Sequence, residues 1–233
     1  MWHFDPLYFI LIGPAFLLAL YAQIKVKAAF ERWSRIRTNS GINGAEAARA
    51  ILDANGLNDV EVEPYQGWLS DHYDPRKRVL RLSPAVYQQP SVAAAGVAAH
   101  EAGHALQHAA GYFPLKLRNA IVPTAQIGSW LAFPMIFIGF LLSLKALALA
   151  GFVLFSALVV FQIMTLPVEL DASRRAKKVI ADLGIIQTQE EAKGVSQVLS
   201  AAAMTYLAAT ITALAQLLYF ALRLGLIGGR RDD

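Results

Sequence analysis

Two histidines four residues apart, with a glutamate directly after the first, stand at His100-Glu101-Ala102-Gly103-His104 and spell H-E-x-x-H. On a helix, residues four apart stack on one face about 6 Å from each other, so both imidazoles can reach a single tetrahedral Zn²⁺. Glu101 then points beside the metal. From there its carboxylate can take a proton from water acidified by zinc to a pKa of about 7 and hand it to a leaving amine. That is the chemistry of peptide-bond hydrolysis. The plainer alternative is a pair of hydrogen-bonded core histidines, but two of them at this spacing around a glutamate favour the metal.

Two imidazoles do not complete a catalytic zinc site, which takes a third protein ligand and keeps one position for water. The chain has no cysteine, so a histidine or a carboxylate must supply the third ligand. His108 continues the four-residue series but lies about 12 Å along the helix axis from His100, too far to share an ion. The extended pattern H-E-x-x-H-x-x-G-x-x-H fails as well, because Gln107 and Ala110 stand where its Gly and last His belong. The remaining acids of interest lie in Leu166-Pro167-Val168-Glu169-Leu170-Asp171-Ala172-Ser173-Arg174-Arg175-Ala176. Positions two apart on a helix differ by about 200° in direction, so Glu169 and Asp171 should not both bind one ion. Glu169 is the expected ligand, and Asp171 is expected to hold a histidine's second ring N–H. The alternative for both acids is neutralisation of Arg174 and Arg175.

These side chains need elements to hold them. Ser91 can cap a helix over Val92 to Ala110, which is rich in alanine and free of proline, and Gly111 is placed to end it. Gly103, between the histidines, permits close approach of another segment. Asn43 and Glu46 form a capping box for a second helix through Asp53, ended by Gly56. Val60 to Glu63 alternates and stops at Pro64, a short strand. Gly67 to Tyr73 and Arg78 to Leu82, joined by Asp74-Pro75-Arg76-Lys77, predict a hairpin. Zinc proteases commonly lay an extended peptide along a sheet edge, so His72 and Tyr73 are candidates to face the metal cleft and steady an oxyanion. Packing of the hairpin face is the alternative for these two.

Composition places the whole in a membrane. Of 233 residues 56% are hydrophobic, with a formal charge of +4, an apolar share above that of ordinary soluble domains. Uncharged runs extend over Leu7 to Ile24, Asn119 to Leu144, Ala146 to Val168, and Gly194 to Leu222, of which Ala203 to Leu222 is read as the crossing. The first run is followed by its basic residues, not preceded by them, which argues against a cleaved signal peptide. The expected division is residues 1–24 as transmembrane helix 1 and 25–118 as a zincin-like cytoplasmic domain. A transmembrane hairpin over 119–168, a cytoplasmic helical segment over 169–202, a fourth crossing over 203–227 and a frayed tail over 228–233 complete it. The fold class is thus mainly α, a multi-pass helical membrane protein with a short β-hairpin in its cytoplasmic part. Basic residues cluster beside the apolar runs, which suits anionic lipid better than nucleic acid. Charged residues from Arg76 to Arg81 and at Lys116 and Arg118 flank the zinc helix, so the metal is expected at the membrane surface.

With HEAGHALQH before an apolar hairpin and LPVELDASRRA after it, together with GWLSDHYDP and KRVLRLSPAVY, the chain resembles the bacterial neutral zinc metallopeptidases of the YugP type. That family is membrane-bound, and the resemblance runs through nearly the whole chain. It implies one Zn²⁺ held by His100, His104 and Glu169, with Glu101 as catalytic base, in a bacterial inner membrane. The plan is also similar to the HtpX and CAAX-protease class, in which an Asp commonly follows the ligand Glu by four; here Ser173 holds that place. The function expected is a zinc-dependent endopeptidase acting on membrane or membrane-adjacent protein segments at the cytoplasmic face. The alternative is a non-catalytic membrane scaffold with a structural zinc or a partner-binding cleft.

Overall fold

A computed structural model describes residues 5–67 and 70–228. Trp68 and Leu69 of the expected hairpin, and the expected frayed tail from Gly229 onward, lie outside the described residues. In chain order the elements are α1 (Pro6–Ser34), α2 (Gly44–Ala54), β1 (Glu61–Pro64), β2 (His72–Asp74), β3 (Val79–Leu82), α3 (Pro84–Tyr87), α4 (Val92–Ala109), α5 (Phe113–Leu141), α6 (Lys145–Asp182) and α7 (Gln189–Arg223). The chain is mainly helical with one small sheet, and α1, α5, α6 and α7 are each long and apolar enough to cross a membrane.

Two compact units divide it. One comprises residues up to Ala22, Leu117–Leu166, and the chain from Thr205. Its helices carry exposed leucine, isoleucine and phenylalanine around a small aromatic centre of Phe155, Phe220, Ala132, Ile136 and Val159, which is the pattern of helices solvated by lipid. Small residues let α5 and α6 approach: a Cβ at Gly151 would lie 2.8 Å from the Ala132 carbonyl oxygen. The turn between them places Ser143 at φ 56°. At one end Tyr219 donates to Asp5 at 2.9 Å and Arg223 lies 3.8 Å from the same carboxylate. The start of α1 and the end of α7 therefore share a side, as an even number of crossings requires.

The other unit contains Gln23–Lys116 and Pro167–Met204. Its core gathers Trp33, Ile51, Leu52, Leu80, Leu82 and Val86 around the alanines of α4. The caps read from sequence are present: the Ser91 hydroxyl accepts from Ala94 N–H at 3.2 Å, and Asn43 and Glu46 form a reciprocal capping box. Gly111 ends α4 at φ 63°. The hairpin forms as β2 against β3 in antiparallel register, with His72 opposite Arg81. The sheet order is β1-β3-β2, with β1 parallel to β3.

In two places the helices run further than the charge pattern suggests. The transmembrane hairpin expected over 119–168 and the helical segment expected over 169–202 share one helix, since α6 continues without a break from Lys145 to Asp182 through Pro167. Proline removes one N–H from the ladder, a loss a long helix packed by its neighbours can absorb. Likewise α7 begins at Gln189, well before Ala203, because Glu191 caps it: its carboxylate accepts from the backbone N–H groups of Gln187 and Thr188 at 2.8 and 2.9 Å.

Candidate metal centre

All groups of the metal centre belong to the second unit, and two helices supply them. His100 and His104 project from one face of α4 with ring centroids 4.8 Å apart, as the four-residue spacing dictates. Glu169 comes from α6. A close helix crossing brings it there, because Gly103 has no side chain: a Cβ at that position would lie 2.7 Å from the Ala172 carbonyl oxygen. Glu169 is only 3% exposed. Its Oε2 lies 3.1 Å from His100 Nε2 and 3.5 Å from His104 Nε2.

These distances test whether a metal fits. Zinc bound tetrahedrally at about 2.05 Å separates its ligand atoms by about 3.3 Å. The two N···O distances of 3.1 and 3.5 Å straddle that edge. The three ligand atoms also lie within 4.8 Å of one another, so the group could hold a metal ion.

The far side of each ring is held by a partner. His104 Nδ1 faces Gln107 Oε1 at 3.0 Å, and Gln107 is fully buried. The Gln107 amide cannot be turned over, because its N–H groups donate to Val168 O at 2.8 Å and to Asp171 Oδ2 at 2.9 Å. Its oxygen must therefore accept from His104 Nδ1–H, which leaves Nε2 as the metal-facing nitrogen. His100 Nδ1 meets the Ser173 hydroxyl at 3.2 Å; a hydroxyl can donate or accept, so this contact turns Nε2 toward Glu169 without setting the tautomer. Asp171, expected to hold a histidine directly, reaches His104 only through Gln107, while Arg175 Nε donates to its Oδ2 at 2.6 Å. Gln107 and Ser173 were not singled out from the sequence as orienting groups. Both sit one turn beyond a ligand on its own helix, after His104 and Glu169, which is the spacing that could have pointed to them.

Electrostatics follow the geometry. Burial disfavours a charged His104, but its hydrogen bond to Glu169 and the nearby Glu101 charge outweigh that and raise its pKa above the ordinary imidazole value. Glu101 is itself buried. The hairpin candidates are placed differently. Tyr73 is hydrogen-bonded through its hydroxyl to His108 Nδ1 at 2.9 Å, one turn beyond His104, and burial raises its pKa. His72 lies apart from the three clustered groups: its Nδ1 donates to Ser70 O at 2.8 Å and its ring packs edge-on against Tyr65. Strand β2 is an edge of the sheet and packs against α4.

Comparison with known proteins bears on the same residues. The model of a family described as "Putative neutral zinc metallopeptidase" matches residues 8–225. The chain belongs to this family. It is also 52% identical over 205 residues, covering 87% of this chain and 90% of the relative, to a protein of Bacillus subtilis (strain 168) named "Putative membrane protease YugP". No solved structure matches the chain.

Proposed function

We propose that the chain is a zinc endopeptidase that cuts protein segments in or beside the membrane, with its metal centre on the cytoplasmic side. The observation that carries this reading is the meeting of His100, His104 and Glu169 at zinc-ligand spacing, with both imidazole Nδ1 atoms engaged elsewhere. Three protein ligands are the number a catalytic zinc uses. The family match and the membrane-protease relative support the reaction class. The cytoplasmic side is supported by the basic clusters Lys25 to Arg37 and Arg174 to Lys178, which follow apolar runs.

A bound Zn²⁺ would supply a Lewis acid that polarises a peptide carbonyl and lowers the pKa of water. The rest is done by the chain. His100 and His104 present Nε2 atoms whose direction is fixed by Ser173 and Gln107. Glu101 accepts the proton of the attacking water on its carboxylate and delivers it to the amine nitrogen as the C–N bond breaks. The free edge of β2 beside α4 can pair with an extended substrate backbone, which gives affinity with little dependence on side chains. Of the two hairpin candidates for oxyanion support, Tyr73 is the better placed, since it reaches the α4 turn that follows His104.

Replacing Glu101 by Gln is expected to leave zinc content unchanged and to slow cleavage of an unstructured peptide by about 10²- to 10⁴-fold, the usual contribution of a positioned base. Glu169→Ala should instead lose the metal. Parent-like cleavage by Glu101→Gln would remove the base from the scheme, and a fourth protein ligand seen by X-ray absorption would turn the site into a structural one.

A further inference from the structure

Beyond the metal centre, the second unit holds a cleft of about 510 Å³ between α1 and α7. On α1 its wall is formed by Lys25, Ala28, Ala29 and Arg32, which share one helix face at the spacing i, i+3, i+4, i+7. On α7 the facing wall carries Lys193, Ser196 and Ser200 in the same rhythm. The two helices are pinned at one end. The Trp33 indole covers Gly194, where any Cβ would collide with the ring, and its N–H donates to Gln197 Oε1 at 2.9 Å. Further along, alanine and serine face each other, and side chains this small do not fill the gap between the helices.

The cleft has a definite chemical character. Among the described residues, three cations line it and no carboxylate does. Of the acids nearby in sequence, Glu31 lies 3.9 Å from Lys27, and Glu191 accepts from the Asn39, Gln187 and Thr188 N–H groups. Alanines give the floor an apolar part, and serines add hydroxyl donors. Both walls also continue, on the same helices, into the runs read as crossings: Leu7 to Ile24 ends directly before Lys25, and Ala203 to Leu222 begins just after Ser200 and Ala201.

From this we infer that the cleft binds the headgroup of an acidic phospholipid, with phosphate oxygens on Lys25, Arg32 and Lys193 and the glycerol and first methylenes on the alanine floor. A soluble anion would use the cations but gain nothing from the apolar floor or from the adjoining lipid-length helices. An acidic peptide would need a longer groove than two helical turns provide. The site is separate from His100, His104 and Glu169, so lipid binding and zinc binding can be lost independently.

Native mass spectrometry of the full-length protein in detergent, titrated with phosphatidylglycerol, phosphatidylcholine or inorganic phosphate, tests the inference. One phosphatidylglycerol should be retained per chain, in preference to phosphatidylcholine. At about 1 kcal/mol per basic residue, Lys25→Gln/Arg32→Gln/Lys193→Gln should weaken it about a hundredfold, and Lys193→Gln alone, at an exposed position, about fivefold. A charge-matched variant, Arg76→Gln/Lys77→Gln/Lys178→Gln, should bind as the parent does. Zinc content should be unchanged in all of them. Equal retention of phosphatidylcholine, parent-like binding by both cleft variants, or an equal loss in the charge-matched variant would overturn the site. Displacement of the lipid by inorganic phosphate at comparable concentration would overturn the lipid assignment in favour of a soluble phosphate.

Discussion

Gln107 carries no charge and binds no metal, yet its amide decides which nitrogen of His104 faces Glu169. The link runs from Arg175 through Asp171 to Gln107 and on to the ring. Replacing Gln107 by Leu keeps the helix and removes both the acceptor and the donors, so zinc affinity measured against a competing chelator should fall about 10- to 100-fold. Unchanged affinity would mean that the ring needs no such support. That His100 and His104 share one face could be read from sequence because their relation is covalent helix geometry. That Glu169 joins them could be anticipated because a metal site would demand a third donor and few acids were available. A neutral amide announces itself in no such way, and the carboxylate of Asp171, which looked like the natural partner of a ring N–H, is occupied by Gln107 and Arg175 instead.

At the scale of elements, the meeting of Glu169 with His100 and His104 depends on how near α6 can come to α4. Gly103→Ala would set a methyl 2.7 Å from the Ala172 carbonyl oxygen, a backbone atom that cannot step aside. Overpacking of this kind costs about 1–3 kcal/mol. Because Ala172 lies between Glu169 and Ser173, the variant should lose zinc affinity along with thermal stability. Gly96→Ala is the control on the same helix: its methyl would meet Val195 Cγ1 at an ordinary 3.4 Å, and alanine is the better helix former. If Gly103→Ala binds zinc and melts like Gly96→Ala, the crossing is not what seats Glu169. Caps and turns were legible here, since Ser91, Asn43 and Gly111 act on their immediate neighbours. The parallel pairing of β1 with β3, the short α3 and the unbroken course of α6 were not, because each is decided by packing across distant segments.

For the molecule as a whole, four apolar runs were enough to read a multi-pass helical protein, since a bilayer imposes one length on every crossing. Less visible was the tie made by Glu191, which is 3% exposed and accepts from Asn39 N–H at 2.6 Å, 152 positions earlier, as well as from the N–H groups that open α7. Burial works against its ionisation, but these backbone donors win and hold its carboxyl below the usual 4.5. A folded-state pKa lowered in this way adds stability that is complete above pH 4.5 and drains away as pH falls through the lower folded value. Glu191→Gln, which keeps the shape but not the charge, should cost about 2 kcal/mol at neutral pH. In thermal melts it should also flatten that part of the acid loss, and an acid profile identical to the parent's would show that the tie carries no charge-dependent stability.

His100 and Glu169 stand 69 positions apart in the chain, and α5 together with most of α6 must be made between them. A growing polypeptide still on the ribosome therefore carries the histidine pair long before it owns the carboxylate that completes their set. Until translation has passed through most of α6, the newborn chain has only a partial cradle for an ion, and the pairing of His100 with Glu169 is among the later contacts of its unit that synthesis makes possible.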